Sequence, residues 1–476
     1  MILMAKNRQI LNESFIMGTL SDFVPEDHLV RKLDEFIDWD FIYEICDPLY
    51  SELGTHRVDP VVLFKMMFIN IIFGYHSMRK TCEEIKVNIA YRWFLGLSFE
   101  HKVPDHSTFS QNYARKFRKN EVAIKIFERI IKELLDNNLV DPSVVFVDGT
   151  HLKANANKNK YENKEIEEVA KRYQAELDAE VDKDREEHGV KELNRKKKEK
   201  IATKEIKVST SDPDCGYFHK GEKEKCFAYN VNIASDRQGY VLGMSVDAGN
   251  IHDSVAFDHL KDYMDYLYGE EVEIYVADAG YSTPGVCHRV HKDGQEIIVP
   301  KKRTKSAGKG MYKAKDYEYN EKEECYVCPM GCILKYKGTT KEGRRQYKSS
   351  AKQCASCPNR MKCTKSKNGI KVIEEHIWSK DVKESVKKQQ SAEGKEYYSL
   401  RKITVERDFG DGKRKHGLDY TLYTGYERVY DHTILTLAGM NIKKMCQRLG
   451  KQRDEYAQKY TFEHQSEEVR RLIGEI

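Results

Sequence analysis

The sequence lacks a long hydrophobic run. Its most apolar stretch, residues 61–73, is interrupted by Lys65 and Asn70 and is too short to cross a bilayer. A signal peptide is not evident either. We therefore expect a cytoplasmic protein without a membrane partner, whose cysteines are reduced unless they hold a metal. The stretch itself predicts a buried helix that begins after Asp59 and stops at Gly74.

A large net charge of one sign is also missing. Of the 476 residues 33% are charged, yet the formal net charge is only +5, which by itself decides nothing about partners. Basic residues are clustered at residues 195–198 and again from Lys301, Lys302 and Arg303 onward. Such patches can bind a phosphate backbone even when the total charge is nearly balanced. For the first cluster a solvated surface is an equal alternative; for the second, which follows a predicted core strand, we favour contact with nucleic acid.

The length of the chain allows two or three domains. In residues 1–140 the apolar residues recur at helical spacing. In a helix predicted over residues 107–119 and capped by its first residue, Phe109, Tyr113 and Phe117 form an apolar stripe beside basic faces. This pattern suits a helical N-terminal DNA-binding domain, although an ordinary surface helix would show it equally.

From about residue 141 the pattern becomes that of an α/β fold. The element order is a strand ending in an acid, a hairpin, a helix, a second strand leading to an acid, a further strand and, much later, a helix with an acid. This order is expected of a ribonuclease-H-like core. The predicted segments are the first part of the core (141–300, with a charged insertion at about 161–207), a basic and cysteine-rich insertion (301–375), the second part of the core (376–445) and a polar tail (446–476).

Three acids are the candidates for a metal site. Two short apolar strands, residues 144–147 and 272–276, lead to Asp148 and Asp278, and a downstream helix carries Glu406. A rigid sheet holds carboxylates at strand ends, and two or three such groups can bind a pair of Mg²⁺ ions for phosphoryl transfer. As an alternative, each aspartate only caps a turn, because Asp-Gly is a common turn pair.

Lysines accompany Glu406. On one helix Lys402, Glu406 and Lys413 would share a face, and the amines would bind phosphates while the carboxylate binds metal. An exposed, salt-bridged helix is the alternative. Gly410 and Gly412 also indicate that the helix could end before Lys413.

These motifs resemble those of bacterial insertion-sequence transposases of the DDE class, in the subgroup with a Tyr–Arg–Glu–Lys signature. The resemblance covers nearly the whole chain, and the matching stretches are Arg57-Val58-Asp59-Pro60, Pro104-Asp105-His106-Ser107-Thr108-Phe109, Asp148-Gly149-Thr150-His151, Asn250-Ile251-His252-Asp253, Ala277-Asp278-Ala279-Gly280-Tyr281, Val405-Glu406, Phe409-Gly410, His416-Gly417-Leu418 and Asn441-Ile442-Lys443-Lys444.

The resemblance implies a catalytic triad of Asp148, Asp278 and Glu406, with Tyr398, Arg401 and Lys413 completing the signature. In its usual form the signature has three residues between Arg and Glu. Here Arg401 and Glu406 are separated by four, so that Lys402 has the usual spacing to Glu406 and Arg401 the usual spacing to Tyr398. Both Arg401 and Lys402 therefore remain candidates for the signature arginine.

For activity, the resemblance implies Mg²⁺ or Mn²⁺ as cofactor and double-stranded DNA as partner. The enzyme would cleave at the terminal inverted repeats of its element and join the freed 3′-hydroxyls to target DNA, in a homodimer or larger complex associated with the nucleoid. Two alternatives are a catalytically inactive DNA-binding regulator and a metal-dependent nuclease that does not join strands.

Cysteines form a separate motif. Two C-x-x-C pairs separated by a hairpin-sized segment predict a zinc-ribbon-like insertion that is structural or contacts DNA. The preferred ligands are Cys328, Cys354, Cys357 and Cys363, with Cys325 and Cys332 as possible substitutes. An iron–sulfur cluster is the less favoured occupant.

Overall fold

A computed structural model describes residues 17–50, 58–167, 173–193, 203–220, 224–302 and 310–474. The basic cluster at 195–198, Arg57 and Arg303 lie outside these ranges. The chain divides into two units, of which the first comprises Met1–Leu134, Lys415–Gly417 and Ile434–Ile476, and the second comprises Leu135–Arg414 and Leu418–Thr433.

The N-terminal part of the first unit is helical, as its apolar spacing predicts. Its helices are α1 (Leu29–Phe36), α2 (Phe41–Cys46), α3 (Pro60–Ile72), α4 (Met78–Val87), α5 (Ile89–Phe94), α6 (His106–Asn112) and α7 (Val122–Asp136).

Helix α3 is the buried helix predicted from residues 61–73, and this prediction is confirmed. The Asp59 carboxylate accepts the backbone N–H of Val61 at 2.7 Å, and Pro60 occupies the first turn, where the missing N–H costs nothing. Gly74, with φ +70°, follows the helix end in the left-handed region that glycine adopts without strain. The polar Asn70 within α3 is buried but donates to Thr81 Oγ1 at 2.8 Å, so its amide is not left unsatisfied.

Helix α6 begins one residue before the predicted start. Its N-cap is Asp105, whose carboxylate accepts the N–H of Ser107 at 2.8 Å, so the prediction of Ser107 as the cap is wrong. The helix continues as a π-helical segment, Tyr113–Phe117. The stripe of Phe109, Tyr113 and Phe117 is buried as expected.

Two of the basic residues beside this stripe are used in packing. Lys116 lies over the Tyr50 ring at 3.8 Å and Arg118 over the Tyr113 ring at 5.5 Å, both distances typical of cation–π contacts. Arg115 and Lys119 are exposed. The exposed basic surface beside this stripe therefore contains fewer residues than the sequence indicates.

The second unit contains three sheets. The strands are β1 (Val144–Lys153), β2 (Tyr161–Glu167), β3 (Thr203–Ser209), β4 (Gly216–Lys220), β5 (Glu224–Ser235), β6 (Val241–Ala248), β7 (Ile274–Val276), β8 (Glu296–Ile298), β9 (Glu318–Asn320), β10 (Cys325–Val327), β11 (Ile333–Thr339), β12 (Arg344–Lys348) and β13 (Val372–His376). The helices that follow α7 are α8 (Gln174–Glu187), α9 (Asp253–Tyr268), α10 (Pro284–Lys292), α11 (Ala351–Ala355), α12 (Arg360–Cys363), α13 (Ser379–Gln390), α14 (Ala392–Leu400), α15 (Val405–Lys415) and α16 (Tyr426–Gly474).

The main sheet has the order β4-β5-β1-β7-β8, with β6 also paired to β5. Strands β5 and β6 form the predicted antiparallel hairpin, while β1, β7 and β8 are parallel to one another. Because β1 is paired with β5 on one side and with β7 on the other, it lies inside the sheet, and residues 144–147 are completely or nearly completely buried. This mixed α/β unit follows a helical N-terminal region, in agreement with the coarse fold class predicted above.

Strand β1 does not end at Asp148, as the sequence indicated. Its antiparallel pairing with β5 continues to Lys153, whereas its parallel pairing with β7 stops at Phe146 opposite Val276. Asp148 and Asp278 each lie two residues beyond this last parallel pair. The register of two short parallel strands therefore places both aspartates at one edge of the sheet.

The two predicted insertions contain more regular structure than their composition indicated. The charged segment includes the antiparallel pair β2–β3 and helix α8, and the cysteine-rich segment contains an antiparallel sheet of order β13-β12-β11-β10-β9. Asp184 of α8 accepts a hydrogen bond from Arg345 Nε of β12 at 2.7 Å, so the two segments contact each other. The polar tail is the continuation of α16.

Packing of α3 against the α6 stripe generates a stability prediction. Phe64 is 0% exposed, and its ring centroid lies 5.1 Å from that of Phe117 and 6.4 Å from that of Phe109. Phe64→Ala should lower the free energy of unfolding of this region by about 3–5 kcal/mol through lost burial and the cavity left behind. Differential scanning calorimetry measures the change, with Phe99→Ala as control because Phe99 is 65% exposed. Equal shifts for the two variants would contradict the described packing.

Candidate active site

Asp148 and Asp278 provide two carboxylates at the edge where the β1–β7 pairing ends. The Asp148 side chain is 24% exposed, so it is partly open to solvent although its strand is buried. Asp278 lies in the turn after β7, and its Oδ1 accepts the N–H of Gly280 at 2.7 Å. The Asp278 carboxylate is thus oriented by a backbone N–H of its own turn.

Arg401 connects Asp148 to the third predicted acid. Its guanidinium is held at the end of α14, 5% exposed, with Nη2 3.3 Å from Asp148 Oδ1 and Nη1 3.8 Å from Glu406 Oε1. Nη2 also donates to the Val147 carbonyl at 3.5 Å, and the guanidinium carbon lies 5.6 Å from the centroid of the Tyr398 ring. Two of the three predicted acids, the arginine and the tyrosine are therefore in contact with one another.

Glu406 stands at the start of α15, where Val405 and Phe409 bury the other face of the helix. Its side chain is 46% exposed. Lys402 is exposed in the turn between α14 and α15, so the prediction that it shares a helix with Glu406 is wrong. The helix continues past Gly412 to Lys415, and the exposed Lys413 follows Glu406 by two helical turns, on the same face.

Burial and crowding of like charges affect the protonation of Asp148. Desolvation raises the pKa of its carboxyl to about 6; Arg401 acts against this rise, and the nearby Asp278 and Glu406 add to it. Asp278 and Glu406 therefore lie close enough to Asp148 to affect its protonation. Their donor atoms are hard oxygens, which suit Mg²⁺ or Mn²⁺, and a cation would relieve the repulsion, so the residues present fit a divalent metal.

The glycines beside the aspartates have a steric role. Gly149 lies inside β1 rather than in a turn, and a Cβ there would stand 2.7 Å from Asn232 Oδ1 and 3.3 Å from both Asp253 Oδ1 and the Tyr281 hydroxyl. The alternative of a simple Asp-Gly turn is therefore excluded at Asp148. The small residue leaves room for polar groups that approach from β5 and α9.

Sequence reasoning did not single out these approaching groups as site residues. The Tyr281 hydroxyl is buried and donates to Asn232 Oδ1 at 2.7 Å. Burial, followed by the charges of Asp253, Asp148 and Asp278, raises the pKa of Tyr281 well above its ordinary value, so the hydroxyl stays a donor. Asp253 and Tyr281 lie in stretches that resemble the transposase motifs, and this resemblance could have identified them. No motif or spacing in the sequence distinguished Asn232.

The predicted DNA-contacting lysines lie near this edge in the sheet order. Lys301 and Lys302 are exposed directly after β8, the strand paired with β7, and Arg303 is outside the described residues. Because β7 and β8 are parallel, their C-terminal ends meet at the edge that also carries Asp278. Exposed positive charge is thus available beside the acidic cluster.

The cysteine-rich segment brings five thiols around one small cavity, lined by Cys328, Cys332, Cys354, Cys357 and Cys363. The N–H of Cys332 donates to Cys328 Sγ at 3.2 Å, which closes a tight turn in which Gly331 has φ +77°. Burial, followed by the neighbouring Cys328, Cys354 and Cys357, raises the pKa of Cys332. Cys363 instead contacts the Tyr317 hydroxyl at 3.0 Å, and Cys325 is buried apart from the cavity with its thiol 3.9 Å from Glu323.

Among the described residues, two groups of side chains bring three ligand atoms close enough to hold an ion by proximity alone, and neither group includes the three acids or the cysteines. These groups are Glu176, Glu180 and His288, and His291, Asp381 and Glu384. Their side chains already serve packing between helices, because Asp381 bonds His288 Nδ1 at 2.7 Å and Trp378 donates to Glu180 at 2.6 Å. They hold α8, α10 and α13 together.

Two models of known families match parts of the chain. Residues 18–115 match the model of a transposase domain (DUF772), and residues 327–446 match the model of a transposase DDE domain. These matches support an insertion-sequence DDE transposase. A DDE domain indicates an enzyme of mobile elements that cuts and transfers DNA.

The second match spans Arg401, Glu406 and the cysteine cavity, while Asp148 and Asp278 precede it. No curated protein matches the sequence. Within the described ranges, none of its helices has the length and apolar character needed to cross a membrane.

The raised pKa of Asp148 predicts how the metal-free protein responds to pH. Its folded pKa of about 6 exceeds the ordinary 3.8, so the folded state binds the proton more tightly and ionisation of Asp148 opposes folding increasingly from about pH 4 to 6. With a chelator present, Asp148→Asn should therefore raise the melting temperature by a few degrees at pH 7, corresponding to about 3 kcal/mol at most, and by little near pH 4.

Asp141 is the matched control, because hydrogen bonding from Ser143 lowers the pKa of its carboxyl. Asp141→Asn should lower the melting temperature at pH 7, the opposite direction. A decrease for both variants would show that Asp148 is stabilising, contrary to this expectation.

Proposed function

We propose that the chain is a transposase whose active site consists of Asp148, Asp278 and Glu406. It would bind the terminal inverted repeats of its insertion sequence, cleave at the element ends and join the 3′-hydroxyls to target DNA. The observation that carries the proposal is the buried Arg401, whose guanidinium pairs with Asp148 of the sheet and Glu406 of α15. This contact assembles acids from opposite ends of the second unit's sequence into one cluster.

The strand arrangement supports a ribonuclease-H-like core for this unit. The strands follow one another across the sheet in the order β6-β5-β1-β7-β8. The β5–β6 hairpin is antiparallel to β1 on one side, and the short strands β7 and β8 lie parallel to β1 on its other side. The acids are on the first strand, after the first of the parallel strands, and on a helix that follows the sheet. That is the order expected of such a core from the sequence pattern.

For the Tyr–Arg–Glu–Lys signature, we assign Arg401 rather than Lys402 to the arginine position. Arg401 is buried against Tyr398 and two acids, whereas Lys402 is exposed. The additional residue between Arg401 and Glu406 falls in the turn at 401–404, which separates α14 from α15. A turn tolerates an inserted residue without rotating a helical face, so the unusual spacing is compatible with the subgroup.

In the reaction, Asp148, Asp278 and Glu406 would hold the divalent metal. Metal bound there would activate the attacking oxygen and stabilise the leaving one. Arg401 orients Asp148 and Glu406, and its charge limits the repulsion between them. Lys301, Lys302 and Lys413 are placed to bind DNA phosphates near the scissile bond.

The partners follow from this activity. Double-stranded DNA of the element ends and of the target would be bound by the basic residues of both units, including the exposed Arg115 and Lys119 of the first. Since two ends are processed together, we propose a homodimer or larger complex as the active form.

We also propose that the cysteine cavity holds one structural Zn²⁺, with Cys332 in place of the Cys363 preferred from sequence. Cys328 and Cys332 come from one tight turn and Cys354 and Cys357 from another, as in zinc knuckles. The contact of Cys363 with Tyr317 leaves it as the spare thiol. The metal would stabilise the β9–β13 sheet, which has a small core.

A cleavage and joining assay tests the proposed activity. Purified protein is incubated with labelled DNA from the element ends, a supercoiled plasmid and Mg²⁺ or Mn²⁺. We expect metal-dependent nicks at the ends and label joined to plasmid, with both products about 10²–10³-fold lower for Glu406→Gln.

Glu396→Gln, an exposed acid on α14, is the matched control and should retain both products. Specific binding with no cleavage in any metal would support a DNA-binding regulator instead. Cleavage without joined label would support a nuclease.

The zinc assignment is tested by metal analysis of single cysteine variants. Wild-type protein should contain about one zinc per chain, Cys332→Ser should lose it and destabilise the insertion, and Cys363→Ser should retain it. Inductively coupled plasma mass spectrometry after gel filtration gives the ratio. Zinc retained by Cys332→Ser but lost by Cys363→Ser would restore the ligand set preferred from sequence.

A further inference from the structure

A fourth carboxylate, that of Asp253, faces the acidic cluster from the start of α9. Asp253 is the first residue of that helix, but it is not the cap, because His252 Nδ1 accepts the N–H of Ser254 at 3.1 Å. The Asp253 carboxylate is therefore not required to satisfy the first turn of its own helix.

One oxygen of this carboxylate is fixed from the sheet. Asn230 of β5 donates its Nδ2 to Asp253 Oδ1 at 2.9 Å and to the Ile251 carbonyl at 3.1 Å. Asn230 is 0% exposed, so the carboxylate is held by a rigid partner. An outer group that fixes one oxygen of a carboxylate and leaves the other free is the usual support of a metal ligand.

The second oxygen points toward Asp278. A Cβ placed on Gly280 would lie 3.8 Å from Asp253 Oδ2 and 2.9 Å from Asp278 Oδ1, so the two acids converge on one point. Asp253 Oδ1 also lies 3.3 Å from a Cβ placed on Gly149, the residue after Asp148. The carboxylate therefore lies beside both of the glycines that follow the strand-edge aspartates.

Two buried amide atoms on the same strand have no hydrogen-bond partner among the described residues. They are Asn230 Oδ1 and Asn232 Nδ2, in side chains that are 0% exposed. Orphaned atoms of this kind cost about 1–3 kcal/mol each when nothing binds them. Asn230 Oδ1 is an acceptor that suits a cation or a water, whereas Asn232 Nδ2 is a donor that suits a water or an oxygen ligand. They border the space into which Asp253 and Tyr281 project.

We propose that Asp253 is a fourth ligand of the divalent-metal site, with Oδ2 binding the cation held by Asp278 while Asn230 fixes Oδ1. This inference rests on the proposed function, because it concerns the same metal site. It also explains the glycine at position 280, since a side chain there would approach both the Asp278 and the Asp253 carboxylates.

Binding of Mn²⁺ to the full-length protein without DNA tests the proposal independently of activity. Titration followed by electron paramagnetic resonance of free Mn²⁺ gives the affinity. Asp253→Asn, which keeps size and helix position, should weaken Mn²⁺ binding by about 10–100-fold. Glu427→Gln, an exposed first-turn acid of α16, is the control and should bind as wild type does.

Asp278→Asn separates the two proposals. If Asp278→Asn weakens binding and Asp253→Asn does not, the role of Asp253 is overturned while the proposed active site stands. If neither variant weakens binding, or wild type binds no Mn²⁺, both are overturned.

A second measurement needs no variant and therefore does not depend on folding of Asp253→Asn. Fe²⁺ with ascorbate and peroxide cuts backbone beside a bound metal, and wild-type protein should be cut next to Asp253 as well as next to Asp148 and Asp278. Excess Mg²⁺ should suppress all three cuts. Cuts at the two strand aspartates without one at Asp253 would overturn the proposal.

Discussion

The buried guanidinium of Arg401 is the interaction on which the candidate site depends. A cation that is 5% exposed requires compensating charge, and here the charge comes from Asp148 and Glu406. Burial disfavours the charged form of Asp148 and raises its pKa, and Arg401 counteracts this rise. The charges of Asp148 and Glu406 are therefore coupled through Arg401. The cost of this cluster to stability is characteristic of a site organised for binding rather than for folding.

The segments that separate the acids in sequence are ordered by contacts with one another. Asp184 of α8 is buried among partners from the β9–β13 sheet, including Arg345 and Thr339. Trp378, directly before α13, stacks on His288 of α10 at 4.1 Å. The segments between Asp278 and the helices that carry Arg401 and Glu406 are therefore joined by tertiary contacts. The insertion between them contacts α8 and is therefore more than a spacer.

Incorrect predictions share one cause, which is that several residues satisfied the same local pattern. Asp105 and Ser107 are both good caps, and the choice depended on which residue began the helix. Lys402 and Glu406 have helical spacing, yet the chain turns at 401–404 because Arg401 is drawn into the sheet edge. Composition left residues 161–207 open between a helical excursion and a partly disordered insertion, and tertiary contacts of α8 give its few apolar residues a core with Trp378.

The sequence by itself determined the features that repeat along the chain. The buried helix α3, the apolar stripe of α6, the hairpin β5–β6 and the short strands before two aspartates follow from hydrophobic period and turn residues, and these depend on near neighbours alone. Tertiary structure decided which polar groups meet. The parallel register placed Asp148 beside Asp278, burial distinguished Arg401 from Lys402, and packing of α9 on the sheet brought in Asp253. Such choices involve residues more than a hundred positions apart, and strand register and side-chain packing set their distances, which no local pattern records.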